Sequence, residues 1–420
     1  MGDQKYLPAG MTAERTGAGA VERPFGAGVS SAPFLVHEGW RTQLAREYLP
    51  SRSMLWPGNH CQLLRDGVEA FPAMLDAIRG ARKYVRLETY MFFDDVVGQM
   101  FARALVEAVE RGVEVKVLYD ALGCWTVPEA FYAGLRAKGV DIRPFKPFSW
   151  RGFAALVRRD HRKLLIVDGD VGFTGGINVA ANWAPIGHGE GWRDDVLRVE
   201  GPVVHQLERC FTASWRVAVQ RRMERLKDWL HRRQRAERLE FKGDATLAVL
   251  SHRRSIYRAY VHAIERAQRS VLIAAAYFVP DRRMVEALRQ AAARGVEVTL
   301  ILNGNSDHPW MQYLTRAFYD RLLEKGIRIY EWCHGNLHAK TAVVDGTWGT
   351  VGSFNLERMS FLFNYEVNVA FADPRLGGAL EASFRKDEEM CTAIDPAKWR
   401  RRPLWQRVLE RTLYLFRKVI

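Results

Sequence analysis

Cysteine is scarce and unpatterned in this 420-residue chain. The five thiols (Cys61, Cys124, Cys210, Cys333 and Cys391) are odd in number and far apart, with no CxxC. That excludes a disulfide framework and a thiolate zinc site, and fits a reducing compartment. No run of 18 or more apolar residues occurs, which excludes a long hydrophobic spanning helix. The opening MGDQKYLPAG lacks the apolar core of a secretory signal, and Tyr6 stands where an N-myristoylation motif needs Ser or Thr. Acidic residues are outnumbered, 48 against 62 Lys and Arg, for a net charge of +14 and a pI near 9.7. A basic surface suits an anionic partner, membrane or nucleic acid, and composition does not choose between them. Contact with lipid is expected to be peripheral, from the cytoplasmic face of the membrane. No His, Cys, Asp and Glu cluster at metal-ligand spacing stands out, so neither a metal nor another cofactor is expected.

What the chain does have is one pattern written twice. HRKLLIVD runs from His161 through Lys163 to Asp168, and HAKTAVVD from His338 through Lys340 to Asp345. Each is followed by a small-residue turn and an Asn, Gly175-Gly176-Ile177-Asn178 and Gly352-Ser353-Phe354-Asn355, with 17 positions from His to Asn in both copies. The residues after each Lys are apolar and mostly β-branched, then Asp-Gly follows, which predicts a strand and a hairpin turn. Residues two apart on a strand share a face, so His161 and Lys163 point one way, as do His338 and Lys340. Asp168 and Asp345 fall at the turn and are expected to tie the hairpin. Cleaving a phosphodiester without metal takes a nucleophile, an acid for the leaving alcohol, and donors on the non-bridging oxygens. Two His fill the first two needs; Lys163, Lys340, Asn178, Ser353 and Asn355 are candidates for the third. A working imidazole also needs its far nitrogen held, normally by a carboxylate. Glu366, in FNYEVNVAF, is expected to orient His338; Asp194 or Asp195, in GWRDDVLRVEG, is expected to orient His161, with Asp194 preferred by register.

The doubling extends beyond the motifs. A helical pattern from Phe71 leads to a strand over Tyr84–Phe92, and its counterpart Tyr257–Gln268 leads to Ser270–Phe278. Arg111-Gly112-Val113-Glu114-Val115 matches Arg294-Gly295-Val296-Glu297-Val298, and Lys138-Gly139-Val140 matches Lys325-Gly326-Ile327. The order predicts two α/β halves with mostly parallel central sheets. Gly139 to His161 spans 22 residues against 12 from Gly326 to His338, so the first half carries an insertion of ten near Phe145–Arg159. Its aromatic and basic residues read either as the wall of a lipid entrance or as an ordinary surface loop. Glu88 and Asp120 fall at strand ends near the motif, as second-layer or acceptor-binding groups or as buried structural ones.

These residues resemble the phospholipase D superfamily, whose signature is the doubled His-x-Lys-x4-Asp with a trailing Gly-(Gly/Ser)-x-Asn. Gly58-Asn59, Leu64-x-Asp66-Gly67, Leu87-Glu88-Thr89-Tyr90 and Tyr119-Asp120-x-x-Gly123 add to it, and the chain is most similar to bacterial cardiolipin synthases without transmembrane helices. The resemblance covers about residues 56–372. It implies two homologous α-β-α sandwich halves around one shared active site, and a phosphohistidine intermediate. By the family's habit His161 is the nucleophile and His338 the acid. The substrates implied are phosphatidylglycerol and a second phospholipid, giving cardiolipin. The alternatives are a hydrolase releasing phosphatidic acid, or a nucleic-acid phosphodiesterase, and no stable nucleic-acid partner is expected. Gly176 stands at the Ser353 position in the first half, a departure from the strict second-motif pattern that makes the half-sites unequal.

The expected organisation is a disordered segment over 1–35, a first half over 36–215, a basic helical connection over 216–243, a second half over 244–395, and a basic amphipathic helix over 396–420. That last helix places Trp405, Val408, Thr412, Leu415, Phe416 and Val419 near one face. It reads as an anchor on an anionic membrane surface, or as a helix docked on the protein's own core.

Overall fold

A computed structural model describes residues 48, 55–147, 158–185, 191–219 and 243–416. The N-terminal segment, most of the 216–243 connection, the middle of the first-half insertion and the last four residues lie outside these. The first half runs β1 (Leu55–Arg65), α1 (Asp66–Gly80), β2 (Tyr84–Thr89), α2 (Val96–Glu110), β3 (Glu114–Asp120), α3 (Glu129–Ala137), β4 (Asp141–Phe145), β5 (Leu164–Val167), β6 (Val171–Gly175), β7 (Asp195–Glu200) and α4 (Val204–Ala218). The second repeats the order: β8 (Ala245–Leu250), α5 (Arg253–Arg266), β9 (Ser270–Ala275), α6 (Arg282–Ala293), β10 (Glu297–Asn303), α7 (Pro309–Arg316), α8 (Tyr319–Leu323), β11 (Arg328–Trp332), β12 (Lys340–Val344), β13 (Trp348–Gly352), α9 (Arg358–Leu362), β14 (Asn368–Ala372) and α10 (Pro374–Met390). A short edge strand, β15 (Thr392–Ala393), and helices α11 (Pro396–Arg400) and α12 (Leu404–Phe416) close the chain.

The strand order β15-β11-β10-β9-β12-β13-β14-β8-β1-β7-β6-β5-β2-β3-β4 reads almost the same from either side of the β8–β1 junction. Two related half-sheets thus meet through antiparallel β1 and β8, with a register shift between Trp56 and Asn59. The expectation of mostly parallel sheets is corrected. Only β2–β3–β4 and β9–β10–β11 are parallel; the ladders through β5, β6, β7 and β1 and their counterparts are antiparallel. The reason lies in the connections. Helical crossovers α2, α3 and α6 return the chain for parallel pairing, whereas the Asp-Gly turns bring β6 and β13 straight back.

Those turns have both central residues at positive φ, Asp168 at 56° with Gly169 at 81°, and Asp345 at 55° with Gly346 at 61°. This is the type I′ conformation that Asp-Gly tolerates and that suits strand twist. Each Asp does more than turn the hairpin. Its carboxylate accepts three consecutive backbone N–H groups at the start of the neighbouring strand: Arg82, Lys83 and Tyr84 on Asp168, and Gln268, Arg269 and Ser270 on Asp345. The strand carrying His and Lys is thereby tied to the strand beside it. The RGVEV repeat is explained by Gly112 and Gly295, at φ 83° and 86°, which end α2 and α6 in the left-handed region before β3 and β10.

Two apolar clusters fill the outer sides of the half-sheets, under α1 and α2 in one half and α5 and α6 in the other. A third lies between the halves, where Leu164, Ile166, Leu197 and Val199 meet Leu272, Val343, Val351 and Val369 beneath Phe211 and Trp215 of α4 and Phe384 of α10. At roughly 1.5–3 kcal/mol for each large buried side chain, this shared layer joins the halves firmly. At the C-terminus, Pro403 interrupts the expected helix and separates α11 from α12. One face of α12 docks: Tyr414 packs edge-on to Phe318 at 5.4 Å, and Glu410 pairs with Arg402 at 2.8 Å. Trp405, Val408 and Leu415 remain exposed on the other face.

Candidate active site

Each histidine lies on an extended segment just ahead of β5 or β12, and each is strapped by backbone bonds to the opposite half. His161 N–H donates to the Tyr365 carbonyl (3.0 Å), and Tyr365 N–H to the Arg159 carbonyl (2.9 Å). His338 N–H donates to the Arg193 carbonyl (2.8 Å), and Arg193 N–H to the Asn336 carbonyl (3.0 Å). Tyr365 precedes Glu366 and Arg193 precedes Asp194, so the straps carry each carboxylate across to the histidine of the other half. His161 Nδ1 is 3.1 Å from Glu366 Oε2, and His338 Nδ1 is 2.8 Å from Asp194 Oδ2. This reverses the pairing expected from sequence. Each carboxylate was expected on the histidine of its own half, but the two-fold arrangement of straps exchanges them. Asp195 is accounted for elsewhere, 3.0 Å from Arg193 Nη1.

With Nδ1 of His161 facing only acceptors, its neutral ring keeps the proton there and presents an unprotonated Nε2; His338 Nδ1 faces both the Asp194 carboxylate and, at 3.0 Å, Lys340 Nζ. His161 Nδ1 also has the Ser353 carbonyl at 3.1 Å. Burial and the charge of Lys163 hold His161 below the usual imidazole range, against the pull of Glu366. Burial, Lys340, Lys163 and His161 hold His338 well below it. Burial alone would raise Glu366, but His161, Lys163 and the Ser353 hydroxyl outweigh it and keep the carboxylate ionised. Burial raises Asp194 to about 6. Lys163 and Lys340 are pushed down by burial to about 7 and about 8, and each feels the other half's carboxylate. Both histidines and both lysines therefore sense one another across the two halves. The ammonium groups are braced on the backbone, Lys163 Nζ on the His161 carbonyl at 2.6 Å and Lys340 Nζ on the His338 carbonyl.

The trailing residues divide. Asn178 Oδ1 accepts from Met91 N–H (3.1 Å) and the Thr89 hydroxyl (3.3 Å), which leaves its Nδ2 hydrogens as the group to offer an anion. Asn355 is buried, its Oδ1 without a hydrogen-bond partner among the described residues. Ser353 does not face an anion, contrary to expectation. It is fully buried; its hydroxyl donates to Glu366 Oε2 and receives Val367 N–H at 3.0 Å. Gly176 at the matching place follows from the same geometry. A Cβ there would fall 2.3 Å from Asp194 Oδ1 and 2.4 Å from Oδ2. The longer Glu366 leaves room for a serine, while the shorter Asp194 needs that volume for its own carboxylate.

Asp120 is a structural group. It receives Arg159 Nε and Nη2 and the Asp160 N–H, holding the chain that leads into His161. Asn303 does the same for the chain before His338, through the Leu337 backbone. Glu88 is not placed to bind an acceptor. It pairs in register with Leu164 and faces the layer between the halves. Its two oxygens lack hydrogen-bond donors among the described residues; burial raises Glu88 against the pull of Arg162, and burial and then Glu88 raise Asp160 well above the usual carboxylate range.

Sequence reasoning missed several groups. Arg193 is buried between Asp387 (2.9 Å), Ser383 and Asp195, the first two far away in the chain. Trp183 and Trp192 flank His338 at ring distances of 5.0 and 5.5 Å, and Trp183 Nε1 donates to Asp194 Oδ2 at 3.0 Å. Tyr90 packs edge-on to His161 at 5.3 Å. Glu357, buried and raised to about 7, caps α9 and acts on Lys340. Its one available signal was a carboxylate two positions after Asn355.

The family model described as "Cardiolipin synthase, PLD-like domain" matches residues 74–215 and 260–388. The chain is 32% identical over 371 residues to "Probable cardiolipin synthase YwiE" of Bacillus subtilis (strain 168), covering 86% of this chain and 72% of that one. It is 33% identical over 364 residues to "Cardiolipin synthase B" of Escherichia coli (strain K12), covering 83% and 85%. The crystal structure of phosphatidylserine synthase from Haemophilus influenzae Rd KW20 matches with a TM-score of 0.67, covering 91% of this chain and 98% of that one; at 14% identity it speaks for the fold alone.

Gly176→Ala is expected to force the Asp194 carboxylate off His338 and leave the His161–Glu366 pair in place. Proton NMR of the imidazole Nδ1–H signals should then lose the downfield resonance of His338 alone. Retention of both would refute the steric account of this glycine.

Proposed function

Because the chain belongs to the phospholipase D-like cardiolipin synthase family, we propose that it transfers a phosphatidyl group from phosphatidylglycerol to a second phospholipid through a phosphohistidine. One observation carries the reading: two histidines, each held at Nδ1 by the other half's carboxylate, share a site with two buried lysines. His161 Nε2 attacks phosphorus, forming a P–N bond as the P–O bond to glycerol breaks. The departing oxygen takes its proton from the imidazolium of His338. The hydroxyl of the second phospholipid then gives its proton to His338 and attacks phosphorus, breaking the P–N bond and restoring His161.

His161 suits attack because its Nδ1 has two acceptors and its lowered titration keeps it neutral at pH 7. His338 begins neutral; an anionic phosphodiester beside it favours protonation, with Asp194 holding the charged ring. Lys163, Lys340 and the Nδ2 of Asn178 hold the non-bridging oxygens. The protein acts at the cytoplasmic face of an anionic membrane as a peripheral enzyme. Trp125 (73% exposed) and Trp310 (40%) support this, since Trp125 stands on the loop after β3 and Trp310 in the first turn of α7 after β10, on the strand edge that carries the site. The bare face of α12 supports it as well.

Purified protein incubated with phosphatidylglycerol vesicles should yield cardiolipin and glycerol by mass spectrometry, and His161→Ala or His338→Ala should lower turnover by at least about a thousandfold. Phosphatidic acid as sole product would make water the acceptor; robust activity in either variant would overturn the two-histidine site.

The lysine titrations set a pH dependence. Rising pH removes their charge from about 7 to 8, so kcat/KM should decline on the alkaline side from that range rather than near the ordinary lysine value of 10.5. A profile flat to pH 10 would show both lysines charged in the free enzyme.

Trp405→Ser, Val408→Ser and Leu415→Ser together should weaken sedimentation with anionic vesicles and leave the unfolding temperature unchanged, because the docked residues of α12 are kept. Unaltered sedimentation would make α12 a packing helix only.

A further inference from the structure

The halves differ in charge at the start of their first helices. In the second half a cavity of about 390 Å³ opens between the N-terminus of α5, the chain after β9, and α9. Arg253, Arg254 and Arg358 line it together with Val279, Phe361 and Leu362. Among the described residues, none of the three guanidinium groups is engaged by an ion pair or a side-chain hydrogen bond. The cavity's carboxylate, Asp281, is already committed: it caps α6 through Met284 N–H at 2.8 Å and accepts the Tyr257 hydroxyl at 2.7 Å. The neighbouring His252 is held below its ordinary value by burial and then by Arg253, Arg254 and Arg258, which marks the field there as positive.

Among the described residues the first half is packed at this place. The repeat places Gly67, Val68 and Ala181 opposite the three arginines. A Cβ on Gly67 would lie 2.2 Å from the Trp183 carbonyl, so the first helix and the turn behind it are in contact. The space is thus closed in one half, and open and cationic in the other. Its wall also reaches the site. Arg358 follows Glu357, whose charge acts on Lys340, and Ser360 of α9 donates to Glu366 Oε1 at 2.8 Å.

We propose that this groove binds an anionic glycerophospholipid, its phosphate among Arg253, Arg254 and Arg358 and its acyl stems on Val279, Phe361 and Leu362. That seats one of the two phospholipids on the second half; the assignment as substrate rests on the function proposed above, whereas the binding does not. Three cations around one anionic headgroup outweigh the single spent carboxylate, and the apolar wall separates a lipid from free phosphate.

The test uses the full chain carrying His161→Ala, so that no turnover is required. Phosphatidylglycerol with a diazirine near the carbonyl end of one acyl chain is placed in phosphatidylcholine vesicles and irradiated with the protein. Peptides containing Val279–Asp281 and Phe361–Leu362 should carry the label. Arg253→Gln, Arg254→Gln and Arg358→Gln together should reduce labelling, per vesicle-bound protein, by at least about tenfold at an unchanged unfolding temperature. Equal labelling by a diazirine phosphatidylcholine, undiminished labelling of the triple variant, or label confined to other segments would each overturn the groove. Labelling here together with no cardiolipin formation in the active protein would retain the groove and reject the proposed reaction.

Discussion

The exchange of carboxylates between the halves is the constraint on which the rest depends. Glu366 reaches His161 and Asp194 reaches His338 because two pairs of backbone hydrogen bonds cross the two-fold axis. Everything around them holds those straps in register. Asp120 with Arg159, and Asn303 with the Leu337 backbone, fix the chain entering each histidine. Arg162 extends from beside His161 to the Glu366 and Ser251 carbonyls of the other half. Arg193 performs the same service between Asp387 and Asp195. Removing one partner from such a buried ion pair costs about 3–5 kcal/mol, so the straps have little freedom to slip.

Much of this was legible in the chain. The doubled His-x-Lys pattern is local, and the two-residue strand period puts His and Lys on one face without reference to anything distant. The two α/β halves followed from repeated helix ends such as RGVEV, where Gly112 and Gly295 take the left-handed backbone. What was not legible depended on contacts between halves. Glu366 and Asp194 were found as residues but given to the wrong histidines, since register along a strand says nothing of which histidine a neighbouring half delivers. Ser353 was read as facing an anion; its hydroxyl is turned inward by a carboxylate 13 positions later. Sheet polarity was misread because alternating helices and strands suggest crossovers, while the hairpins at Asp168 and Asp345 reverse the chain. Residues 148–157 of the insertion, the 1–35 segment and most of the connection lie outside the described residues.

The site is symmetric in backbone and unequal in chemistry. Glu366 is held ionised below its usual value, whereas Asp194 is raised to about 6. His161 has a tyrosine at its side and His338 two tryptophans. Glu357 has only Ala180 opposite it in the first half. Each inequality falls on side chains while the straps and the Asp-Gly turns are shared. The scaffold thus tolerates divergence in what surrounds each imidazole and none in how the imidazole is delivered.

The Gly176–Asp194 and Ser353–Glu366 combinations require two unlike halves. A single half that paired with a second copy of itself would present identical residues at both sites, so any change of a carboxylate would strike both histidines at once. Two complementary solutions, a short acid with glycine and a long acid with serine, become separately heritable only once both halves are encoded in one chain. Encoding both halves in one chain therefore lets each histidine keep its own acid, and the crossed carboxylates leave either half incomplete without the other.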